Sequence, residues 1–242
     1  MRWLQRYLLL GLLAMLIIWQ GSDAFAKYLP PLPFLSNRQQ LTIQPCNISQ
    51  TVILPNDLPQ LMDGVVIVQN RDHIGSGVII STNGYILTAA HLVQNQRSAA
   101  IYLNSGDTIR GDIVRVDARK DIALIKVEDK HYRCMNVSNI VPPLGSRIFT
   151  IGFLPERNAG FVIEEGRIQR HRYLWSKQSS YLQTSLDLKP GSSGGPLLNQ
   201  RGEVAGIISW KSKNKNGTAS LFSLPVSVAI RALNIRWATP SK

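Results

Sequence analysis

Gly75-Ser76-Gly77-Val78-Ile79-Ile80-Ser81, then Thr82-Asn83-Gly84, then Tyr85-Ile86-Leu87-Thr88-Ala89-Ala90-His91 is the stretch that decides the fold. Both flanks are short runs rich in β-branched and apolar residues. Asn-Gly between them readily takes the positive φ values of a tight hairpin turn. The passage predicts two antiparallel strands over 77–80 and 85–88, the second leading to a histidine. Working outward, the same texture recurs at 65–68, 99–103, 108–116 and 122–127, separated by Asn104-Ser105-Gly106-Asp107 and the polar stretch 117–120. Val141-Pro142-Pro143-Leu144-Gly145 interrupts it, and a second set follows at 147–153, 161–169, 181–186, 196–198, 203–210 and 219–224. Residues 225–236 place apolar side chains at helical spacing behind a first-turn proline, which predicts a C-terminal helix. Many short strands at this spacing predict an all-β protein of two packed antiparallel β-barrels, closure hiding the strand edges of each.

The chain around this core divides by composition. Residues 1–26 carry Arg2 and Arg6, an apolar run of 13 residues over 7–19, and Ala24-Phe25-Ala26. That order reads as a signal peptide removed after Ala26. The alternative is an uncleaved membrane anchor through 7–19, but 13 residues at 1.5 Å each fall short of the roughly 30 Å hydrocarbon core. Residues 27–62 form a Pro-rich arm, with six of the thirteen prolines by residue 60. The first barrel is then expected over 63–140 and the second barrel with its helix over 141–242. Export to a periplasmic or extracellular setting makes a disulfide between Cys46 and Cys134, the only two cysteines, the expected pairing. With both cysteines committed to that pairing, no metal is expected.

Three motifs stand above this background: the Gly75–His91 stretch, Asp121-Ile122-Ala123-Leu124-Ile125-Lys126-Val127, and Gly191-Ser192-Ser193-Gly194-Gly195-Pro196-Leu197. In this order they resemble the chymotrypsin-like serine peptidases. The short spacings of 30 and 72 residues resemble the HtrA (Deg) branch. The resemblance covers about residues 63–236 and implies roles one by one. Ser193 is the nucleophile, His91 its base and Asp121 the group that orients the imidazole. The backbone N–H groups of Gly191 and Ser193 form the oxyanion hole. It implies a polypeptide substrate, peptide-bond hydrolysis through an acyl-enzyme, and no cofactor. Ser192 is the local alternative nucleophile. A catalytically weak relative that only binds polypeptides or an anionic surface is the alternative function.

Departures from the family carry expectations of their own. Trypsin-type enzymes keep Asp immediately before the nucleophile, where it captures a new N-terminus; here Ser192 stands there, so no activation by N-terminal insertion is expected. With 49 residues after Ser193, no PDZ domain of the usual HtrA kind is expected. Asp187, six residues before Ser193, resembles the pocket-floor carboxylate that selects Arg or Lys. Ser209 and Trp210 resemble the strand that pairs with substrate, with Ser209 supporting Asp121. Lys211 replaces the usual glycine and either obstructs the pocket mouth or pairs with Asp187.

Composition excludes other classes. At 44% hydrophobic residues the 242-residue chain can bury a core, which excludes a disordered protein. The formal charge of +12 concentrates in 157–177 and 211–215, both read as loops. No nucleic-acid motif accompanies it, so nucleic acid is not an expected partner. A solvated basic face, or attraction to an anionic surface or acidic substrate segments, is expected instead. Membrane contact through the N-terminus is expected only if residues 7–19 are retained.

Overall fold

The computed structural model describes residues 39–46, 57–128, 130–153, 160–187, 190–213 and 219–239. The signal-peptide reading of 1–26 and most of the Pro-rich arm lie outside the described residues, as does the side chain of Lys211. Residues 37–242 form one unit by contacts. It opens with β1 (Leu41–Ile43) and a 3-10 turn over Leu58–Gly64. The first barrel follows: β2 (Val65–Gln69), β3 (Ile74–Ile79), β4 (Tyr85–Thr88), β5 (Ser98–Tyr102), β6 (Thr108–Asp117) and β7 (Ile122–Val127). It closes in the order β2-β3-β4-β7-β6-β5. The second comprises β8 (Arg147–Phe153), β9 (Phe161–Leu174), β10 (Ser179–Thr184), β11 (Pro196–Leu198), β12 (Val204–Lys213) and β13 (Ala219–Pro225), closing as β10-β13-β12-β11-β8-β9. All ladders in both barrels are antiparallel. Helix α1 (Val226–Ala232) and β14 (Ile235–Trp237) complete the described chain.

Side-chain alternation explains why several strands read as unbroken apolar runs. On β7, Ala123, Ile125 and Val127 point into the first barrel, while Ile122 and Leu124 join a second cluster shared with the other barrel. Strand β8 does the same, with Ile148 inside the second barrel and Phe149 and Ile151 in the shared cluster. Both faces of these strands are buried, so polar alternation vanishes. The shared cluster locks the two barrels together.

Two local expectations are corrected. The helix expected over 225–236 stops at Ala232, because Asn234 turns the backbone left-handed (φ 50°) and Ile235–Trp237 pair in parallel with β1. That pairing also gives the arm one regular strand. The basic segment up to Lys177 is not a loop: β9 extends to Leu174, paired with β10 beyond a bulge at Gln183/Thr184. A 3-10 turn over Trp175–Lys177 and Gln178 at φ 48° reverse the chain.

Candidate active site

Asp121 ends the β6–β7 turn. Asp117 builds that turn, its carboxylate accepting the Lys120 N–H at 2.9 Å and the Lys120 Nζ at 3.0 Å. Asp121 itself sits at φ 58°, a left-handed backbone that Asp tolerates better than most residues at a cost of about 1 kcal/mol. The surroundings hold it there. Its Oδ1 accepts the His91 backbone N–H at 2.9 Å, and both carboxylate oxygens lie 3.0 Å from His91 Nδ1. The buried Ser209 hydroxyl donates to Oδ2. Asp121 is itself buried, so these partners offset the desolvation of its charge.

His91 stands in a 3-10 turn, Ala90–Leu92, directly after β4. It faces an open cleft of about 380 Å³ lined by Ala90, His91, Gln94, Ala118, Asp121, Lys177 and Trp210. Trp210 is fixed by an edge contact with Tyr181 (4.6 Å between centroids) and a stacked one with Phe222 (5.3 Å), and Lys177 Nζ lies 5.4 Å from its ring. The Tyr181 hydroxyl donates to the Lys120 carbonyl at 3.0 Å, steadying the residue before Asp121. Burial, with the charges of Asp121 and Asp117, pushes the Tyr181 hydroxyl above its ordinary range.

The Gly191–Gly195 turn approaches this wall from the second barrel. Gly191 and Gly194 have φ of +99° and +83°, which the turn requires and side chains resist. A Cβ on Gly194 would collide with the Ser76 carbonyl and the Thr88 hydroxyl. Ser76 N–H donates to the Ser193 carbonyl at 2.8 Å. The turn therefore rests on Thr88 and Ala89, two residues ahead of His91. Among the described residues, the N–H groups of Gly191 and Ser193 donate to no acceptor, whereas Gly194 donates to Ile208 O and Gly195 to Ser192 O. Ser192 is buried against Gly152, where a Cβ would come within 2.8 Å of its hydroxyl. Ser193 is half-buried, and its hydroxyl makes no hydrogen bond among the described residues.

The structure joins Asp121 directly to His91 and Ser209, sets Trp210 in the same cleft, and seats the turn of Gly191 and Ser193 against Ser76 and Thr88. Asp187 is exposed, not a buried floor, and a solvated carboxylate attracts a cationic side chain far less strongly. Cys46 and Cys134 are joined as a disulfide with Cα atoms 5.8 Å apart. Sequence reasoning missed Ser76, Tyr181 and Lys177. For Ser76 a signal existed, a serine between two glycines inside an apolar strand; Tyr181 and Lys177 left none, since their partners lie 61 and 33 residues away.

Comparison with known proteins agrees with this fold. Residues 75–207 match the family described as the trypsin-like peptidase domain. A probable periplasmic serine endoprotease of DegP-like type from Pseudomonas putida is 33% identical over 168 residues, 66% of this chain and 34% of that protein. A putative serine protease, HhoB, from Synechocystis is 30% identical over 161 residues, 64% of this chain and 38% of that one. The chain therefore spans about a third of the length of these curated relatives. The crystal structure of a serine endoprotease from Yersinia pestis superposes with a TM-score of 0.63 at 26% identity, covering 75% of this chain and 68% of that one.

Proposed function

This chain belongs to the family of trypsin-like peptidases, and from that premise we propose that it is a serine endopeptidase working by a Ser193–His91–Asp121 triad. The observation that carries the proposal is the Asp121 carboxylate, gripping His91 Nδ1 at 3.0 Å beside the turn that bears Ser193. With Nδ1–H held by the carboxylate, Nε2 is the free base. Ser193 Oγ attacks the substrate carbonyl carbon and gives its proton to His91 Nε2. The oxyanion receives the two uncommitted N–H groups of Gly191 and Ser193. Collapse breaks the C–N bond, and His91 returns the proton to the leaving amine. Water, deprotonated by His91, then hydrolyses the Ser193 ester and restores the serine. Asp121 keeps its charge throughout and stabilises the imidazolium.

The substrate is a polypeptide lying across the His91–Trp210 cleft. The chain works after export, in keeping with the periplasmic description of the Pseudomonas relatives; no helix among the described residues is long and apolar enough to cross a membrane. Residues 1–26 act as the export signal, 63–140 as the barrel supplying His91 and Asp121, and 141–242 as the barrel supplying the nucleophile. Its positive charge adds salt-sensitive attraction to anionic surfaces, with a screening length of about 10 Å at 0.1 M salt. Fluorophosphonate labelling tests the chemistry. The expected result is one label on Ser193, lost in Ser193→Ala together with cleavage of a peptide library. Cleavage surviving in Ser193→Ala, or an unlabelled protein that still binds polypeptides, would overturn it.

A further inference from the structure

Two segments that the catalytic reading leaves unused hold every exposed large hydrophobic residue among those described: Ile140 (61% exposed), Val141 and Leu144 (64%) in the connection between the barrels, and Tyr173 (51%) and Trp175 (83%) at the tip of the β9–β10 hairpin. Scattered singly, such residues mean little; gathered together they mark a binding surface. They are gathered. His171 Nε2 lies 2.9 Å from the Pro142 carbonyl, Arg167 Nη1 donates to the Gly145 carbonyl at 3.0 Å, and Gly145 N–H donates to the Ile168 carbonyl at 2.8 Å. The connection is thereby stitched to the base of the hairpin.

Charge says what the surface meets. From Gly166 to Leu186 there is no Asp or Glu, while Arg167, Arg170 and Arg172 give the hairpin three positive charges besides Lys177, which lines the His91 cleft. Arg170 and Arg172 are exposed and form no ion pair among the described residues. By strand alternation they leave one side of β9, and His171 and Tyr173 leave the other. The two arginines therefore leave the strand opposite Tyr173, which forms with Trp175 an aromatic pair in edge contact at 5.0 Å at the tip of the hairpin. A groove that grips one extended polypeptide is concave and holds its anchors on one side. A planar layer of apolar chains under anionic headgroups suits a protruding tip: Trp and Tyr settle at the interface while Arg meets phosphate.

We propose that this hairpin tip, with the apolar connection beside it, docks the protein on an anionic phospholipid bilayer. The proposal stands apart from the peptidase chemistry, since none of these residues belongs to the triad or the oxyanion turn.

The test uses the full chain with 100 nm vesicles of phosphatidylcholine alone or mixed equally with phosphatidylglycerol. Because residues 1–139 are identical in every variant, differences report the surface itself. Arg170→Gln/Arg172→Gln should weaken partitioning to the anionic vesicles about 25-fold at low salt, roughly fivefold per cation. Tyr173→Ser/Trp175→Ser should weaken it at least tenfold, and brominated phosphatidylglycerol should quench the Trp175 contribution, taken as wild type minus Trp175→Ser. Thermal midpoints of the variants should match wild type, as expected for exposed side chains. Unchanged partitioning in both double variants, or no bromolipid quenching from Trp175, overturns the proposal. So does finding that these substitutions abolish only binding to polyglutamate or a concentration-dependent dimer, which would assign the surface to an acidic polypeptide or a second copy.

Discussion

The Ser76 hydroxyl donates to the Gly191 carbonyl at 2.7 Å, joining β3 of one barrel to the Gly191–Gly195 turn of the other across 115 positions of sequence. The same oxygen accepts the Phe153 N–H at 2.9 Å, and the Ser76 carbonyl accepts the Thr88 hydroxyl at 2.7 Å. Ser76 is fully buried. Removing its hydroxyl leaves a partly buried donor and a buried acceptor without their partner, the costly kind of loss.

Ser76→Ala should therefore act on the turn that, in the proposed mechanism, aims the Gly191 and Ser193 N–H groups. Losing one oxyanion donor outright costs about 10²–10³ in kcat; loosening the turn should cost about tenfold, with KM within twofold. Steady-state kinetics on a cleaved peptide would show it. A variant with unchanged kcat, or with the whole loss in KM, would refute a positioning role.

Ser209→Ala removes one of the four contacts of the Asp121 carboxylate. A hydrogen bond to a charged group is worth about 1.5–3 kcal/mol, and His91 remains held by the other three. The expected loss in kcat/KM is roughly tenfold to a hundredfold, mostly in kcat. Fluorophosphonate labelling should slow in parallel. An unchanged labelling rate would mean that His91 alone fixes Asp121.

What the sequence made legible follows from how local each cause is. Strands such as Tyr85–Thr88 and Ile122–Val127 end where their turns begin, and Asn83-Gly84 and the Asp117 carboxylate act within four residues. These were readable. The length of β9 was not, because Arg170-His171-Arg172 looks like a solvated loop and becomes a strand only through its partner β10. Helix α1 ends early for a similar reason: the parallel pairing of Ile235–Trp237 with Leu41–Ile43 outcompetes another helical turn. Within the site, His91, Asp121 and Ser193 announce themselves by motif. Tyr181 and Ser76 contribute through single long-range hydrogen bonds, which leave no periodic trace.

Tyr181→Phe should reveal itself at alkaline pH. Burial and the nearby carboxylates raise the Tyr181 hydroxyl in the folded state, so the folded protein holds that proton more tightly than the unfolded chain. The stabilisation is complete below the unfolded value of roughly 10 and is lost as pH rises above it. Wild type should lose denaturation midpoint more steeply than Tyr181→Phe between about pH 10 and 11.5. Below pH 9 the variant should be weaker by about 1 kcal/mol, the Lys120 hydrogen bond. Parallel pH profiles for the two proteins would show that Tyr181 ionises freely.

Replacing both cysteines by alanine tests how the arm is tied to the barrels. Cys46 follows β1 and Cys134 lies just before Met135, whose N–H donates to the Ile79 carbonyl at 2.8 Å. The disulfide closes a loop over a separation of 88 residues, for which chain entropy predicts about 4–5 kcal/mol of stabilisation. Both cysteines are buried, so the double variant also loses packing, and the two contributions must be separated. Urea unfolding of wild type with and without reductant does this, since reduction removes the bond and keeps the sulfur atoms in place. The reduced wild type should lose about 4 kcal/mol, the double variant somewhat more, and reductant should not affect the double variant. A loss below about 1 kcal/mol on reduction would mean that the unfolded chain is already compact enough for the cross-link to restrict little.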